Sequence, residues 1–186
     1  MLLDGTEMKL DESKLNQYGF VKKYRVIPRS FSDLNYAGKS IELEEIVIAT
    51  NTFSFEEYIK ARVLHLVLAV MYNGGPFGGF FKIAREYKIN LKEFLFLLLD
   101  NFSKHPKLSE LYKNFVEETN NELFDNDSDA LAFYLKEENF EKLMSGEAGK
   151  NLLQSYACSA YITHTNDLID LLKDTLKKVS SNIIPD

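Results

Sequence analysis

Residues 54–73 read SFEEYIKARVLHLVLAVMYN, and this stretch decides the fold of the chain. Ser54 is followed three residues later by Glu57, which is the form of a capping box, where each side chain bonds to a main-chain amide at a helix start. Apolar residues then recur at helical spacing as far as Asn73, and a Gly-Gly-Pro sequence follows, which cannot continue a helix. The sequence therefore predicts one long, largely buried helix.

Downstream of this helix the sequence contains the signals of further helices. Caps and apolar spacing predict helices at residues 77–87, 90–102, 106–120, 128–136, about 147–163 and 166–179, with a further turn at 139–145. We therefore expect a mainly α fold, a helical bundle-like domain of about six to eight helices that covers residues 51–186.

Upstream of residue 51 the pattern favours β structure. Residues 1–8 suit the end of a strand, and residues 11–18 form a brief helix that Asp11 caps and Gly19 ends. Residues 20–27 and 41–50 are candidate strands, separated by a loop at 29–40. We expect a small two- or three-stranded β element, so that residues 1–50 form an N-terminal β-containing segment.

Composition and charge limit the class of protein. The 186 residues are 45% hydrophobic and 27% charged, as in ordinary globular domains. A net charge of −6 disfavours nucleic acid as a partner. The longest apolar runs, residues 63–72 and 94–99, are far shorter than the roughly 20 residues that span a bilayer. One cysteine and no signal-peptide pattern then predict a cytoplasmic protein with no membrane partner.

The residue types that carry metal or nucleophilic chemistry are scarce. Cys158 lies among small residues at helical spacing, which favours a buried structural thiol over a nucleophile. His65 lies in an apolar helix, which favours a hydrogen-bonded core residue, with a ligand or proton-transfer role as the alternative. His105 and His164 fall at predicted helix ends. We therefore expect no catalytic residue and no metal site in this chain.

Acidic residues are plentiful, but their patterns favour structural roles. Glu42, Glu44 and Glu45 on the second predicted strand are expected to form a solvated face. Residues 125–129 read DNDSD, which superficially suggests a calcium loop. The central glycine and the terminal glutamate of such a loop are missing, so we interpret this segment as a loop with a helix cap.

Small polar residues concentrate where the second strand passes into the long helix, at residues 50–58 (TNTFSFEEY). The start of a helix presents free amides and positive potential, and Arg25 and Arg29 lie on or beside the neighbouring strand. This junction is therefore a candidate ligand site, with simple helix capping as the alternative. A self-contained ligand-binding protein or enzyme would use Asn51 to Glu57 together with His65.

Five short segments occur in a familiar order: LLDGTEM at 2–8, YG at 18–19, YRVIPR at 24–29, TNTFSFEEY at 50–58 and YN at 72–73. In this order the chain resembles the C-terminal part of cobalamin (B12)-binding-domain radical SAM proteins. In that family a cobalamin-binding domain and a barrel that binds S-adenosylmethionine precede a helical tail. The resemblance covers residues 1–85, and it implies that residues 1–50 are the end of a barrel-like unit plus a ribbon.

The chain departs from the family at the cofactor motifs. It has neither the C-x3-C-x2-C cluster motif nor the Asp-x-His-x-x-Gly cobalamin loop. The resemblance therefore implies a non-catalytic accessory domain on the substrate side, with no cofactor in this chain. Complete family members would use a 4Fe-4S cluster, S-adenosylmethionine and cobalamin. The implied partner is a radical SAM barrel, in the same or another chain, or a second copy bound through the N-terminal edge.

The residues nominated for substrate or partner contact follow from this resemblance and from the junction. They are Arg25, Arg29, Asn51, Glu57, His65 and Asn73. Two alternatives remain beside the accessory domain. One is the self-contained helical ligand-binding protein or enzyme, and the other is a helical adaptor with an exposed apolar groove among its last three helices.

Overall fold

A computed structural model describes residues 5–7, 11–73 and 75–180 of the chain. The fold is mainly α with a small antiparallel β element near the N-terminus, as the sequence predicts. The described residues contain nine α-helices, a short 3₁₀ helix (Asn35–Ala37) and a π-helix (Leu68–Asn73). The strand end predicted at residues 1–8 falls mostly on residues outside the described ranges.

In chain order the elements are α1 (Glu12–Gln17), β1 (Val21–Asp33), β2 (Lys39–Ala49), α2 (Phe55–Val67), α3 (Gly78–Glu86), α4 (Leu91–Lys104), α5 (Leu108–Asn121), α6 (Asp127–Tyr134), α7 (Glu137–Ser145), α8 (Leu152–Thr163) and α9 (Thr165–Ser180).

Side-chain caps begin several of these helices where the sequence places them. Asp11 accepts a hydrogen bond from the amide three residues on, at the start of α1. Asn90 does the same at the start of α4, and Asn126 at the start of α6. Each carboxylate or amide oxygen satisfies an amide that the first helical turn leaves free. The cap at Asn126 confirms the helix cap predicted within residues 125–129, although residues 127–129 already form the first turn of α6.

The long helix predicted at residues 54–73 changes character near its end. It is α-helical as far as Val67 and becomes a π-helix from Leu68. The hydroxyl group of Tyr161, on α8, donates to the main-chain oxygen of Val70 at 2.8 Å. A π-helical turn alters the regular hydrogen bonding of the main chain, and the tyrosine hydroxyl satisfies an acceptor there.

The two strands form an antiparallel ribbon with a large irregularity in β1. Val26 pairs with Leu43, and the next pair is Phe31 with Ile41, so residues 27–30 lie opposite a single residue of β2. Pro28 lies inside this bulge, where it does not need to donate to the ladder. The prediction that the strand ends at Pro28 is therefore wrong, because β1 continues after the bulge as far as Asp33.

The chain divides into two compact units, each discontinuous in sequence. The first consists of Met1–Ile59 and Glu118–Asn151, and the second of Lys60–Glu117 and Leu152–Asp186. This division differs from the expected boundary after residue 50. Residues 118–151 belong to the same unit as the ribbon because Phe124 pairs with Tyr24 through two main-chain hydrogen bonds of 2.8 and 2.9 Å.

Each unit has its own apolar core. In the first unit the buried side chains are Val26, Tyr134, Phe140 and Leu143, with Phe31, Ile41, Leu43, Phe124 and Ala148 packed against them. In the second unit the largest fully buried side chains are Phe94, Phe102, Phe115, Leu66, Met71, Leu98, Leu108, Leu168 and Leu172. The ribbon therefore packs on α6 and α7, and the long apolar helix packs within the second unit.

Cys158 is exposed on α8, so the prediction of a buried thiol is wrong. Tyr156 and Ala160 are buried and form the face of this helix that packs against the core of the second unit. Cys158 follows Tyr156 by two residues, about 200° around the helix, and so lies on the opposite face.

Among the described residues no single helix is long and apolar enough to cross a membrane. Only one pair of helical stretches in the described ranges is long and apolar enough when its lengths are combined. This pair is Phe55–Asn73 with Gly78–Glu86, and the two stretches are bent by 85° relative to each other.

Candidate functional site

Arg25 is held by two carboxylates of the first unit. Its Nε donates to Glu44 on β2 at 2.6 Å, and its Nη1 contacts Glu122 after α5. Burial alone would lower the pKa of Arg25, but the charges of Glu122 and Glu44 outweigh it and raise the pKa. The guanidinium is thus fully charged and engaged inside the protein, where it fixes β1 against its neighbours.

Glu44 and Glu45 are buried, each with only 7% of its surface exposed, so the predicted solvated face is wrong for these two residues. The antiparallel register explains this burial, because it sets Arg25 opposite Glu44 and Tyr24 opposite Glu45. Tyr24 donates to Glu45 at 3.1 Å, and Lys22 forms an ion pair with the same oxygen at 2.6 Å. Cross-strand cations therefore compensate the buried carboxylates.

Asn51 joins two of the segments on which the family resemblance rests. Its side chain donates to the oxygen of Gln17 at 2.8 Å, and its main-chain amide donates to Tyr18 at 2.9 Å. Gly19 has a left-handed φ of 60°, and a Cβ there would lie 2.0 Å from Oδ1 of Asn51. Only glycine fits this position, so the segment 18–19 is locked onto the segment 50–58.

Glu57 and Ser54 form the predicted capping box. The main-chain amide of Ser54 donates to Glu57 at 2.7 Å, and the amide of Glu57 donates to the Ser54 hydroxyl at 3.2 Å. The predicted capping box is therefore present at this junction. The structure uses the side chains of Asn51 and Glu57 to connect the ribbon to α2.

His65 and Asn73 fall in the second unit and are both exposed. The expectation of a core histidine is wrong, because Val63, Leu66 and Val67 form the buried face of α2. His65 follows Val63 by two residues and so lies on the opposite side of the helix. Asn73 is the last residue of the π-helix.

Arg29 differs from Arg25 and Glu57 because its charged group is unengaged. It lies in the bulge of β1 and is exposed, and its main-chain amide donates to the oxygen of Gly149 at 3.3 Å. Within the described residues its guanidinium forms no ion pair and no hydrogen bond. Its φ is 66°, a left-handed conformation that is unfavourable for an arginine. Strain of this kind persists where the surrounding structure enforces it, and it clusters at functional sites.

Arg29 lines a cleft of about 290 Å³ in the first unit. Lys150 adds a second cation, Phe31 and Met144 add apolar surface, and the end of α7 with the loop to residue 150 completes the wall. Gly149 has a φ of 61°, and a Cβ there would lie 2.7 Å from Leu143 and 2.8 Å from Phe31. The cleft depends on this close approach of the loop to the ribbon.

Sequence reasoning found Arg29 but missed residues 143–150. No local pattern links the loop after α7 to a strand bulge more than a hundred residues earlier in the chain. The sequence feature that could have indicated this loop is the pair of glycines in SGEAGK, at residues 145–150. Gly146 and Gly149 both adopt left-handed conformations, which glycine favours.

Within the part of the chain that the structure describes, no three His, Cys, Asp or Glu side chains are grouped so that they could hold a metal ion. Comparisons with protein families, with curated proteins and with solved structures give no significant match to this chain. The resemblance to cobalamin-binding-domain radical SAM proteins therefore stays a prediction.

Proposed function

We propose that the chain is a non-catalytic accessory domain, like the C-terminal part of cobalamin-binding-domain radical SAM proteins, and acts on the substrate side of a radical SAM barrel. The barrel lies in the same or another chain. It would carry the 4Fe-4S cluster and bind S-adenosylmethionine, and the cobalamin would also be bound outside this chain.

The observation that supports this proposal best is the contact between Asn51 and the segment Tyr18–Gly19. Two short motifs that are separated in the sequence form one interlocked structure, with the third motif, at residues 24–29, on the adjoining strand. A shared structure gives a physical reason for these short segments to occur together. The fifth segment, Tyr72–Asn73, lies in the second unit and adds nothing to this argument.

Within this proposal Arg29 is the residue that faces the substrate or the barrel. Arg25, Asn51 and Glu57 are engaged in internal hydrogen bonds and ion pairs, so their part is to hold the ribbon in place. The guanidinium of Arg29 is exposed beside the cleft and is available to a carboxylate or phosphate of another molecule.

Co-purification with a barrel-carrying chain tests the proposal. The DNA that flanks the gene is read for a sequence with the C-x3-C-x2-C motif, and that chain is co-expressed with tagged wild-type protein. We expect the tagged protein to retain the barrel chain, and we expect Arg29→Glu to reduce the retained amount by about tenfold.

Lys142→Glu is the matched control, because Lys142 is an exposed cation on α7 that does not line the cleft. It makes the same change in charge within the same unit and should leave retention unchanged. Failure of the wild-type protein to retain the barrel chain would contradict the accessory role. An equal loss with both variants would show that net charge, rather than Arg29, governs the contact.

A further inference from the structure

The cleft beside Arg29 combines a free guanidinium with an apolar wall. Phe31 and Met144 supply the apolar surface, and Arg29 lies at its polar side. At about 290 Å³ the cleft is at the small end of the range for sites that hold small molecules. Such a site fits a compact ligand with one apolar group and one charged group.

The charge of the cleft determines whether its ligand should be an anion or a cation. Lys150 is paired with Glu118 at 3.0 Å, so its charge is largely compensated, whereas Arg29 has no carboxylate partner among the described residues. The C-terminal end of α7 adds partial negative potential. That potential is reduced at two carbonyls, because Gly146 donates to Leu143 at 3.1 Å and Ala148 donates to Lys142 at 2.9 Å. A full positive charge at Arg29 therefore dominates the cleft.

The backbone of the cleft is also preorganised. Arg29 and Gly149 both adopt left-handed conformations, and the hydrogen bond between them joins the bulge to the loop after α7. A glycine in place of Arg29 would adopt the same backbone without strain. The presence of an arginine at a strained position indicates that its side chain has a role outside the fold itself.

We propose that this cleft binds a small organic anion, whose carboxylate or phosphate pairs with Arg29 and whose apolar group packs against Phe31 and Met144. A planar guanidinium pairs with either anion through two parallel hydrogen bonds. The site lies wholly within the first unit, so the proposal does not depend on the accessory role or on a barrel partner.

Titration of the isotope-labelled full chain tests the site, with the amide resonances of Gly146, Gly149 and Lys150 as the readout. Benzoate and phenyl phosphate are the probes, and benzamide is the neutral counterpart of benzoate. We expect saturable shifts with benzoate or phenyl phosphate, with a Kd on the order of 1 mM, and no saturation with benzamide. The stronger of the two probes identifies whether the site prefers a carboxylate or a phosphate.

Arg29→Gln is the matched variant, because glutamine retains the left-handed strain and removes only the charge. We expect it to bind the preferred probe at least about tenfold more weakly, while Lys142→Gln binds like the wild type. Arg29→Lys keeps the charge but loses the two parallel hydrogen bonds, so it should bind with intermediate affinity.

Three results would overturn the proposal. They are an absence of saturable shifts with both anions, equal affinity for benzoate and benzamide, and unchanged affinity in Arg29→Gln. If the first result were accompanied by lower stability of Arg29→Gln, Arg29 would serve only as a cation at the end of α7.

Discussion

Arg29 and Gly149 are joined by a main-chain hydrogen bond of 3.3 Å, and both residues have a left-handed backbone, with φ values of 66° and 61°. This contact links the bulge of β1 to the loop after α7 and forms the wall of the cleft. Glycine adopts such a conformation without cost, whereas arginine does not. The two residues therefore make the same backbone shape at different energetic costs.

Replacing Arg29 by glycine should stabilise the protein. The relief of left-handed strain exceeds the extra conformational entropy of glycine in the unfolded chain, so we expect the free energy of unfolding to rise by about 0.5 kcal/mol in urea denaturation. Arg29→Gln retains the strain and should stay within about 0.5 kcal/mol of the wild type. A glycine variant that is less stable than the wild type would show that the Arg29 side chain supports the fold.

Removing Arg25 should destabilise the first unit strongly. Arg25→Gln leaves the buried carboxylate of Glu44 without its cation, and we expect a loss of about 3 kcal/mol in the free energy of unfolding. The exposed Lys142→Gln serves as the control and should change stability by less than about 0.5 kcal/mol. Similar values for both variants would mean that the ion pairs of Arg25 contribute little.

Tyr161 should stabilise the π-helix through its hydroxyl group. Tyr161→Phe removes the donor to Val70 and Ala69, and we expect a loss of about 1 kcal/mol together with faster hydrogen exchange in residues 69–73. Tyr112→Phe is the matched control, because Tyr112 packs against the same core and no hydrogen bond of its hydroxyl occurs among the described residues. Equal effects of the two substitutions would rule out a specific role for the Tyr161 hydroxyl.

Asp167 should make the second unit sensitive to acid. The pKa of its carboxyl is lowered by a hydrogen bond with Lys107 first and by one with His164 next. A lowered pKa contributes stability above the unfolded-state value of about 3.9, and this stability is lost as the pH falls through the folded-state value.

Asp167→Asn should therefore be less stable than the wild type at pH 7, and the difference should shrink below about pH 4. Thermal denaturation at several pH values measures this. Asp170→Asn is the control, since Asp170 is 66% exposed and its nearest cation lies 3.8 Å away. A difference for Asp167→Asn that does not change with pH would contradict the assignment.

Much of the local structure could be predicted from the sequence because it depends on neighbouring residues. The caps at Asp11 and Asn90 and the capping box of Ser54 and Glu57 each involve residues two or three positions apart. The ribbon was predicted for the same reason, since its two strands are close in the sequence.

The parts that could not be predicted depend on contacts between distant residues. Glu44 is buried against Arg25, and Arg25 also pairs with Glu122, which lies far along the chain. Helical spacing alone also does not say which face of α2 or α8 meets a core. His65 and Cys158 were therefore expected to be buried, although both are exposed.

Hydrogen–deuterium exchange of the chain, alone and in the presence of the barrel-carrying chain from its own locus, tests the accessory role most directly. We predict slower exchange on mixing in residues 18–53 and 143–150, where the interlocked segments and the cleft lie. Slower exchange confined to α8 and α9 would instead favour the helical adaptor, and unchanged exchange throughout would contradict the accessory role.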